Sequence, residues 1–345
     1  MQAGALEAIP MQEIFGHTPN GETVHRYMLC GGGLTASIMT WGAAVQDLRL
    51  EGHAPALVLG FPRFEDYLAH SPYFGATVGR YANRIAKGQV RIDGTLYKLD
   101  RNEVNNHHLH GGSEGTGKRV WTVSDFGQDF IRLEIEERDG HMGYPGNCHM
   151  ACTYRLLPDG VMSVVLEARS DRPTICNMAH HSYFNLDGRP DILDHEIRID
   201  ADHYIPVDGD QIPMGDILGV IGSPFDLRQM RPVRNDEHGE QILYDHNFCL
   251  SDERTDKRSV ALVRSPHSGV SLEVRTGEPG LQFYCGYKVS TPVPGLSGAP
   301  YGAFCGLCLE TQTWPDSPNH DQFPNAILRP GETLVQETDY VFSRS

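Results

Sequence analysis

Two ionisable side chains stand in apolar runs where an unused charge would be costly. Glu310 ends the strand-like run 306–310 and is followed by a Pro-rich turn, and a buried carboxylate is expensive unless it is hydrogen-bonded or used. His181 supplies an imidazole in the similarly apolar run 177–186. A carboxylate and an imidazole together form an acid–base pair, and no nucleophile motif accompanies them. The sequence therefore predicts proton-transfer chemistry at Glu310 and His181.

Three close histidines raise the alternative of a metal site. His107, His108 and His110 precede the pair Gly111-Gly112, and close histidines with a distant carboxylate can hold a metal. In an extended run, however, His108 and His110 share a face while His107 points away, and the helical HExxH spacing is absent from this run. The two glycines favour a tight loop that approaches a ligand. We therefore predict that no metal is bound here.

Alternation along extended strands indicates which neighbours share the site. Because successive side chains point to opposite faces of a strand, His180 projects away from the side that carries His181. The shared face then carries Asn177, Ala179, His181 and Tyr183. The same alternation places together Phe304, Gly306, Cys308 and Glu310. A small residue beside Glu310 would leave room for a bound molecule.

The elements that hold these residues are predicted to be short antiparallel strands. Runs of alternating polarity are punctuated along the whole length by 37 glycines and 22 prolines, a pattern typical of strands joined by turns. Asp93-Gly94 lies between the runs 89–92 and 95–99 and predicts a two-residue hairpin, because both residues accept positive φ angles. The turn 157–160 predicts a second hairpin.

The fold class follows from the way these strands divide their surfaces. The run 130–137 alternates as in a sheet with one wet side, and one face then carries Ile131, Leu133 and Ile135. We predict an all-β protein, a large antiparallel β-sandwich with few short helices, formed as one domain over 1–345. The polar stretch 228–240 is predicted to be an exposed loop or a short helix.

Composition excludes several classes of partner. Lys and Arg number 29 and Asp and Glu 45, so the net charge is 29 − 45 = −16. Without a basic cluster, nucleic acid and anionic membranes are not expected partners, and a neutral polar ligand is favoured. Residues 1–15 contain no Lys or Arg and no apolar stretch of signal-peptide length, and no uncharged run reaches membrane-spanning length. We expect a soluble cytoplasmic protein.

The cysteines are predicted to be buried reduced thiols. Eight are scattered through the chain, mostly in strand-like runs, which differs from a disulfide framework. Cys305 and Cys308 form a CxxC, but residues three apart on a strand point to opposite faces, and the sequence contains no second such pair. A metal role for them is therefore not expected.

Several motifs resemble one known family when they are taken together and in order. Five runs carry the resemblance: 75–85, 105–112, 181–186, 244–248 and 309–310. Further matches lie at 143–146, 212–215 and 279–284. Each motif is short, but their joint order and wide spacing make the chain resemble the aldose 1-epimerase (galactose mutarotase) family from about Phe15 to Phe342.

The resemblance implies interconversion of the α and β anomers of a free aldose in an open cleft of a large antiparallel sandwich. Opening a cyclic hemiacetal removes the proton of the anomeric hydroxyl and gives one to the ring oxygen, so two groups in opposite protonation states must bracket the sugar. After rotation about the bond between the first two carbons, the same groups close the ring. Neither metal nor cofactor is required, since no redox step or difficult leaving group is involved.

The resemblance also implies roles for individual residues. Glu310 matches the family's general base, His181 its general acid, and His110 a second active-site histidine near the ring oxygen. The matches to sugar-hydroxyl ligands are Asn83, Arg84, Asp245 and Gln282. Tyr183 is expected to line the cleft, where an aromatic ring can stack on a sugar face. No family histidine matches His107 or His108, which are therefore expected to be structural.

Each of these residues also has a structural interpretation. Arg84 could pair a carboxylate and hold a loop, Asp245 could serve a turn or a cap, and Gln282 could be a polar position on a strand. His181 alone would be read as a satisfied core histidine. These alternatives make the geometry of the residues the deciding observation.

Two other functions remain open on the same fold. One is a sugar-binding or regulatory module without catalysis, because fold does not fix function. The other is a hexose-6-phosphate 1-epimerase, which should carry additional basic residues for the phosphate. The loop 115–121 departs from the family, which commonly has a Gly-Phe pair before the tryptophan. The loss of that aromatic residue leaves catalysis intact in principle and bears on sugar preference.

Overall fold

Antiparallel strands make up most of the chain in a computed structural model that describes residues 12–237 and 239–344. The strands are β1 (Gln12–His17), β2 (Thr23–Gly31), β3 (Leu34–Met39), β4 (Ala44–Leu50), β5 (Ala76–Val78), β6 (Arg84–Ile85), β7 (Gln89–Ile92), β8 (Thr95–Lys98), β9 (His108–Leu109), β10 (Thr122–Phe126), β11 (Phe130–Glu137), β12 (Cys148–Leu157), β13 (Val161–Ser170), β14 (Thr174–Ile175), β15 (Ala179–His181), β16 (Glu196–Ile199), β17 (His203–Tyr204), β18 (Leu218–Gly219), β19 (Arg231–Pro232), β20 (Asp236–Glu237), β21 (Glu240–Gln241), β22 (Asp245–Cys249), β23 (Arg258–Arg264), β24 (Val270–Thr276), β25 (Gly280–Tyr284), β26 (Cys308–Gln312), β27 (Ile327–Leu328) and β28 (Leu334–Arg344). The one α-helix of the described residues is α1 (Phe64–His70), and the single 3-10 turns are Ala86–Gly88, Val104–Asn106, Thr116–Lys118, His141–Gly143 and Ser317–Asn319.

Both predicted hairpins are confirmed, and their turns have the expected chemistry. Ile92 of β7 pairs with Thr95 of β8, and Asp93 and Gly94 between them have φ angles of 47° and 80°. These positive angles match the right-handed twist of the flanking strands. The second hairpin joins β12 and β13 through a three-residue loop that ends in Gly160, with φ of 74°.

Three sheets supply the main packing surfaces. The largest has nine strands in the order β10-β11-β12-β13-β28-β24-β23-β16-β19, a second has five in the order β18-β17-β22-β25-β26, and a third has four, β1 to β4. Their apolar faces meet in one core, to which the sheets contribute residues such as Leu133, Leu272, Leu281 and Leu29. Sheets packed face to face in this way form the predicted β-sandwich.

The alternation predicted for β11 holds except at its last residue. Ile131, Leu133 and Ile135 are buried, but Glu137 shares their face and is buried as well. Its Oε2 atom lies 3.0 Å from Nε of Arg80, and both side chains are fully inaccessible. The pattern of one wet face therefore fails at Glu137, whose Oε2 is paired with a cation from another element.

Two further expectations are corrected by the backbone. The described part of 228–240 forms no helix; it runs through β19, β20 and the start of β21. Phe304 has φ of 62° and β26 begins only at Cys308, so the alternation proposed from 304 to 310 holds only along the strand itself.

Residues 1–11, part of the stretch examined for a signal, lie outside the described residues. No helix in the described ranges is long and apolar enough to cross a membrane.

Candidate active site

One face of the five-stranded sheet carries a row of polar side chains. Pairing of β25 with its neighbours places Gln282 opposite Glu310 on one side and opposite Asn247 on the other. Asp245 lies on the same face of β22, and its Oδ1 accepts a hydrogen bond from Gln282 Nε2 at 2.9 Å. The opposite face turns toward the core and carries Phe248, Leu281, Phe283 and Leu309. Strand alternation thus gathers Glu310, Gln282 and Asp245 on the site side of the sheet.

Strand β15 brings His181 to Glu310. Nε2 of the imidazole lies 3.7 Å from Oε1 of the carboxyl group, with side chains 6% and 3% exposed. Pairing of His181 with Ala76 of β5 holds its backbone. The two groups lie side by side and not on opposite walls of a ring-wide gap, an arrangement that suits two oxygens bonded to the same carbon.

Burial drives both groups toward their uncharged forms. Desolvation raises the pKa of Glu310 well above its ordinary value, and Asp245 adds to this while Arg84 opposes it. Desolvation lowers the pKa of His181 to about 4. A protonated Glu310 beside a neutral His181 holds the same number of protons as a carboxylate beside an imidazolium. The pair can therefore pass a proton between its members without changing its total charge.

His110 is held as a neutral donor. Its Nδ1 accepts a hydrogen bond of 3.1 Å from the backbone N–H of Asn83, so the proton of the neutral ring is on Nε2. Burial lowers the pKa of His110 well below its ordinary value, with His181 the next contribution. The two imidazole centroids are 5.1 Å apart. The ring therefore presents an N–H group close to the acid–base pair.

Asn83 and Arg84 extend the site from β6. Asn83 has φ of 62°, and its Oδ1 accepts the backbone N–H of Arg84 at 2.8 Å. The guanidinium of Arg84 is held by Glu103 through two hydrogen bonds of 2.8 and 2.7 Å. The structural interpretation of Arg84 as the partner of a carboxylate is thus realised. Asp245, on the site face of β22, also raises the pKa of Arg84.

Tyr183 contacts the imidazole directly. Its ring stacks on that of His181 with centroids 5.2 Å apart and an interplanar angle of 28°. Its hydroxyl donates to the carbonyl of Pro72 at 3.1 Å. The residue is 3% exposed, so its ring supports His181 and offers little open surface for stacking.

A possible metal cluster consists of His110, His181 and Glu310, whose ligand atoms all lie within 4.8 Å of one another. The hydrogen bonds of His110 make it a poor ligand. Metal at Nε2 would move the ring proton to Nδ1, where it would face the donating N–H of Asn83. Ligating histidines instead direct their second N–H at an acceptor. The three groups therefore suit exchange with hydroxyls better than coordination of a metal.

The remaining histidines of the sequence motifs make structural contacts. His108 hydrogen-bonds the carbonyl of Asp100 at 2.6 Å and the hydroxyl of Tyr144 at 2.5 Å. His107 accepts from the backbone of Lys87 at 3.1 Å.

His180 points away from the site, as strand alternation predicts. Its Nδ1 lies 3.2 Å from the hydroxyl of Tyr154, and its ring is 5.5 Å from that of Tyr340.

The glycine loop after His110 also has a structural explanation. A side chain at Gly111 would overlap the backbone of Gly79, so the loop approaches protein and not a ligand.

Three neighbours of the site, Glu103, Tyr73 and Lys118, were not assigned roles from the sequence. Glu103 holds Arg84 through the paired hydrogen bonds described above. Tyr73 lies 4.8 Å from the ring of His110 and 6.0 Å from that of His181, and Lys118 of the altered loop lies over the Tyr73 ring at 5.0 Å. No sequence signal marks these three. Cys308, which strand alternation had placed on the face of Glu310, contacts His181 Nδ1 at 3.6 Å.

Comparisons with known proteins find similar sequences over nearly the whole chain. The family model described as aldose 1-epimerase matches residues 25–341. Galactose mutarotase of Mus musculus is 44% identical over 96% of this chain and 97% of its own. Aldose 1-epimerase of Escherichia coli is 36% identical over 90% and 92%.

Solved structures of similar proteins share the fold. A GalM/aldose epimerase homologue from C. elegans has a TM-score of 0.87 at 28% identity and covers 92% of this chain and 98% of its own. Galactose 1-epimerase of Lactobacillus acidophilus has a TM-score of 0.82 at 27% identity, with coverage of 97% and 99%. The family model matches most of the length of this chain, and relatives that align over nearly their whole length are more than a third identical to it. This chain therefore belongs to the aldose 1-epimerase family.

Proposed function

We propose that this protein is a cofactor-independent isomerase of the cytoplasm that interconverts the α and β anomers of a free aldose such as galactose or glucose. Family membership supports this function, and relatives that align over nearly their whole length are galactose mutarotases. The observation that carries the chemistry is the distance of 3.7 Å between His181 Nε2 and Glu310 Oε1, two atoms of buried side chains. Two proton-exchanging atoms at this spacing can serve the two oxygens of one anomeric carbon.

Ring opening then requires one proton to leave and one to arrive. Glu310, as the carboxylate, takes the proton of the anomeric hydroxyl while His181 gives a proton to the ring oxygen. The open aldehyde rotates about the bond between its first two carbons. Reversal of the two transfers closes the ring on the other face. The pair ends with the same number of protons, so no external acid or base is needed.

Unsatisfied polar atoms favour a ligand rich in hydroxyl groups. Oε1 of Gln282 and Oε2 of Glu310 are buried and have no hydrogen-bond partner among residues 12–237 and 239–344. Leaving such an acceptor unpaired costs about 1–3 kcal/mol. Sugar hydroxyls can donate to both acceptors. We therefore assign sugar binding to Gln282 together with Asp245, His110, Asn83 and Arg84.

The phosphate alternative is disfavoured by the state of Arg84. Nε and Nη2 of its guanidinium both donate to Glu103, and this two-bond fork is a geometry that a phosphate would otherwise use. Asp245 also stands close enough to raise the pKa of Arg84. A phosphorylated sugar would meet these carboxylates and would be repelled.

Replacement of Glu310 tests the proposal. Glu310→Gln keeps the shape of the side chain but removes the base, and loss of a positioned acid or base lowers a rate about a hundred-fold to ten-thousand-fold. Polarimetry on freshly dissolved α-D-glucose or α-D-galactose measures the rate. We expect the variant to show almost only the spontaneous rate of rotation change. Wild-type activity in Glu310→Gln would remove Glu310 from the mechanism.

A matched control and the unmutated protein complete this test. Glu273→Gln, on β24 beside Arg275, changes a carboxylate outside the pocket and should keep full activity. The same assay with unmutated protein separates catalysis from binding. Sugar binding without faster anomer exchange would favour the non-catalytic module.

A further inference from the structure

The buried thiol of Cys308 contacts the imidazole on the edge away from Glu310. Its Sγ atom lies 3.6 Å from His181 Nδ1, while Nε2 of the same ring faces Glu310 at 3.7 Å. Cys308 is fully buried and His181 is 5% exposed. A protein group thus lies beside each ring nitrogen, and these two groups are adjacent positions on the site face of β26.

Neighbouring hydrogen bonds give the thiol contact a direction. The hydroxyl of Tyr183 donates its only proton to the carbonyl of Pro72 at 3.1 Å. That oxygen therefore has no proton left to donate to Cys308, which lies in the same buried cluster. Nε2 of His181 faces the carboxyl group of Glu310 at 3.7 Å, where a lone pair is needed to accept a proton, so the proton of the neutral ring belongs on Nδ1. The sulfur of Cys308 is then placed to accept from Nδ1.

The plane of the imidazole is held by aromatic contacts. Tyr183 stacks on the ring at 5.2 Å and Tyr73 at 6.0 Å, with interplanar angles of 28° and 30°. Stacking fixes the plane but does not distinguish the two ring nitrogens. A directional partner at one nitrogen is needed to decide which of them carries the proton.

We propose that Cys308 is a positioning residue whose sulfur accepts a hydrogen bond from His181 Nδ1 and thereby keeps a proton on that nitrogen. Nε2 is then the atom that gains and loses the proton during ring opening and closure, and it is the atom that faces Glu310. In the other tautomer Nε2 would already carry the proton of the neutral ring and could not accept one. The inference rests on the proposed function for its role in turnover, but the tautomer is a property of the resting protein.

Nitrogen NMR of the unmutated protein tests the tautomer without any turnover. His181 is assigned by the signals that disappear in His181→Asn. We expect the neutral ring to carry its proton on Nδ1. A neutral His181 protonated on Nε2 would overturn the proposal, whether or not the protein accelerates anomer exchange, so its failure is distinct from failure of the proposed function.

Substitution of the thiol tests the effect on the reaction. Loss of a group that orients a functional histidine commonly costs about ten-fold to a hundred-fold, so Cys308→Ala should lower kcat by about that factor with little change in KM and should mix the two tautomers. Cys308→Ser keeps a group that can accept and should recover much of the rate. Cys305→Ala removes another buried thiol of the same apolar cluster and should leave kcat and the tautomer unchanged. Wild-type kcat in Cys308→Ala, or a lower kcat with an unchanged tautomer, would overturn the proposal.

Discussion

At the scale of single residues, the site joins groups that are each held by a second protein group. Glu103 holds Arg84, the Asn83 backbone holds His110, and Gln282 donates to Asp245. Such paired contacts fix side chains before a ligand arrives, so less conformational entropy is lost on binding. A change at a supporting contact should therefore affect sugar affinity, the proton transfers or both, according to the residue that it holds.

Arg84 allows a prediction about binding. Arg84→Lys keeps the charge but loses the fork that engages Glu103, and a lysine cannot hold the same geometry. A hydrogen bond to a charged group is worth about 1.5–3 kcal/mol, so we expect KM to rise about ten-fold to a hundred-fold while kcat falls less. Polarimetry over a range of sugar concentrations separates the two constants.

The control for this change is an arginine that is held by carboxylates outside the site. Arg132 on β11 contacts Glu134 and Glu167 on the outer side of the large sheet. Arg132→Lys should leave both constants unchanged. An unchanged KM in Arg84→Lys would show that the guanidinium serves the loop alone.

At the scale of elements, the sequence predicted the strands better than the connections between them. The hairpins at Asp93-Gly94 and Gly160 could be predicted because these turns require positive φ angles that few residues accept. Alternation also placed Glu310 and His180 on the correct faces. The positive φ angles of Phe304 and Tyr73 could not be predicted, since tertiary contacts and not residue type impose them.

The same limit applies to the partners of buried groups. That Arg84 meets Glu103, or that Glu137 meets Arg80, depends on contacts between elements far apart along the chain. A sequence gives the residue types but not these distances. The glycine pair after His110 illustrates the point, because the need for glycine there comes from the backbone of Gly79.

Gly111 gives a prediction at this scale. It has φ of 86°, and an added Cβ would overlap the carbonyl of Gly79. Gly111→Ala should therefore lower the free energy of unfolding by at least about 3 kcal/mol and should reduce kcat by displacing His110. Denaturant unfolding and polarimetry measure the two effects.

A glycine with a similar φ but open surroundings is the comparison. Gly94 has φ of 80° and no neighbouring atom within 4 Å of an added Cβ. Gly94→Ala should cost only the backbone strain of about 1–2 kcal/mol and leave kcat unchanged. Equal losses in the two variants would mean that the contact with Gly79 is unimportant.

At the scale of the whole molecule, several buried histidines couple stability to pH. Burial lowers the pKa of His180 to about 3 and those of His181 and His108 to about 4. Between pH 6.5 and these values the unfolded chain binds protons that the folded chain does not, so stability falls as pH falls through this window. Glu310 acts with the opposite sign, because its raised pKa removes stability as pH rises above its unfolded value.

His180 allows this coupling to be measured outside the site. In His180→Phe the unfolded chain binds one proton fewer within the window. As pH falls, the free energy of unfolding of the variant should therefore decrease less steeply than that of the unmutated protein, by about 1.4 kcal/mol per pH unit. Denaturant unfolding at several pH values gives the slope. His149→Phe alters an imidazole that is 53% exposed and is the control. Identical slopes for His180→Phe and the unmutated protein would contradict the lowered pKa of His180 in the folded protein.

The enclosed pair of His181 and Glu310 has a consequence for the way in which the molecule meets its substrate. An uncharged sugar feels no long-range attraction or repulsion from a protein of net charge −16, and the pair keeps its summed charge through the reaction. Encounter therefore relies on random diffusion and not on electrostatic steering. Turnover should be nearly indifferent to ionic strength, so the enzyme would work alike in dilute and in concentrated salt.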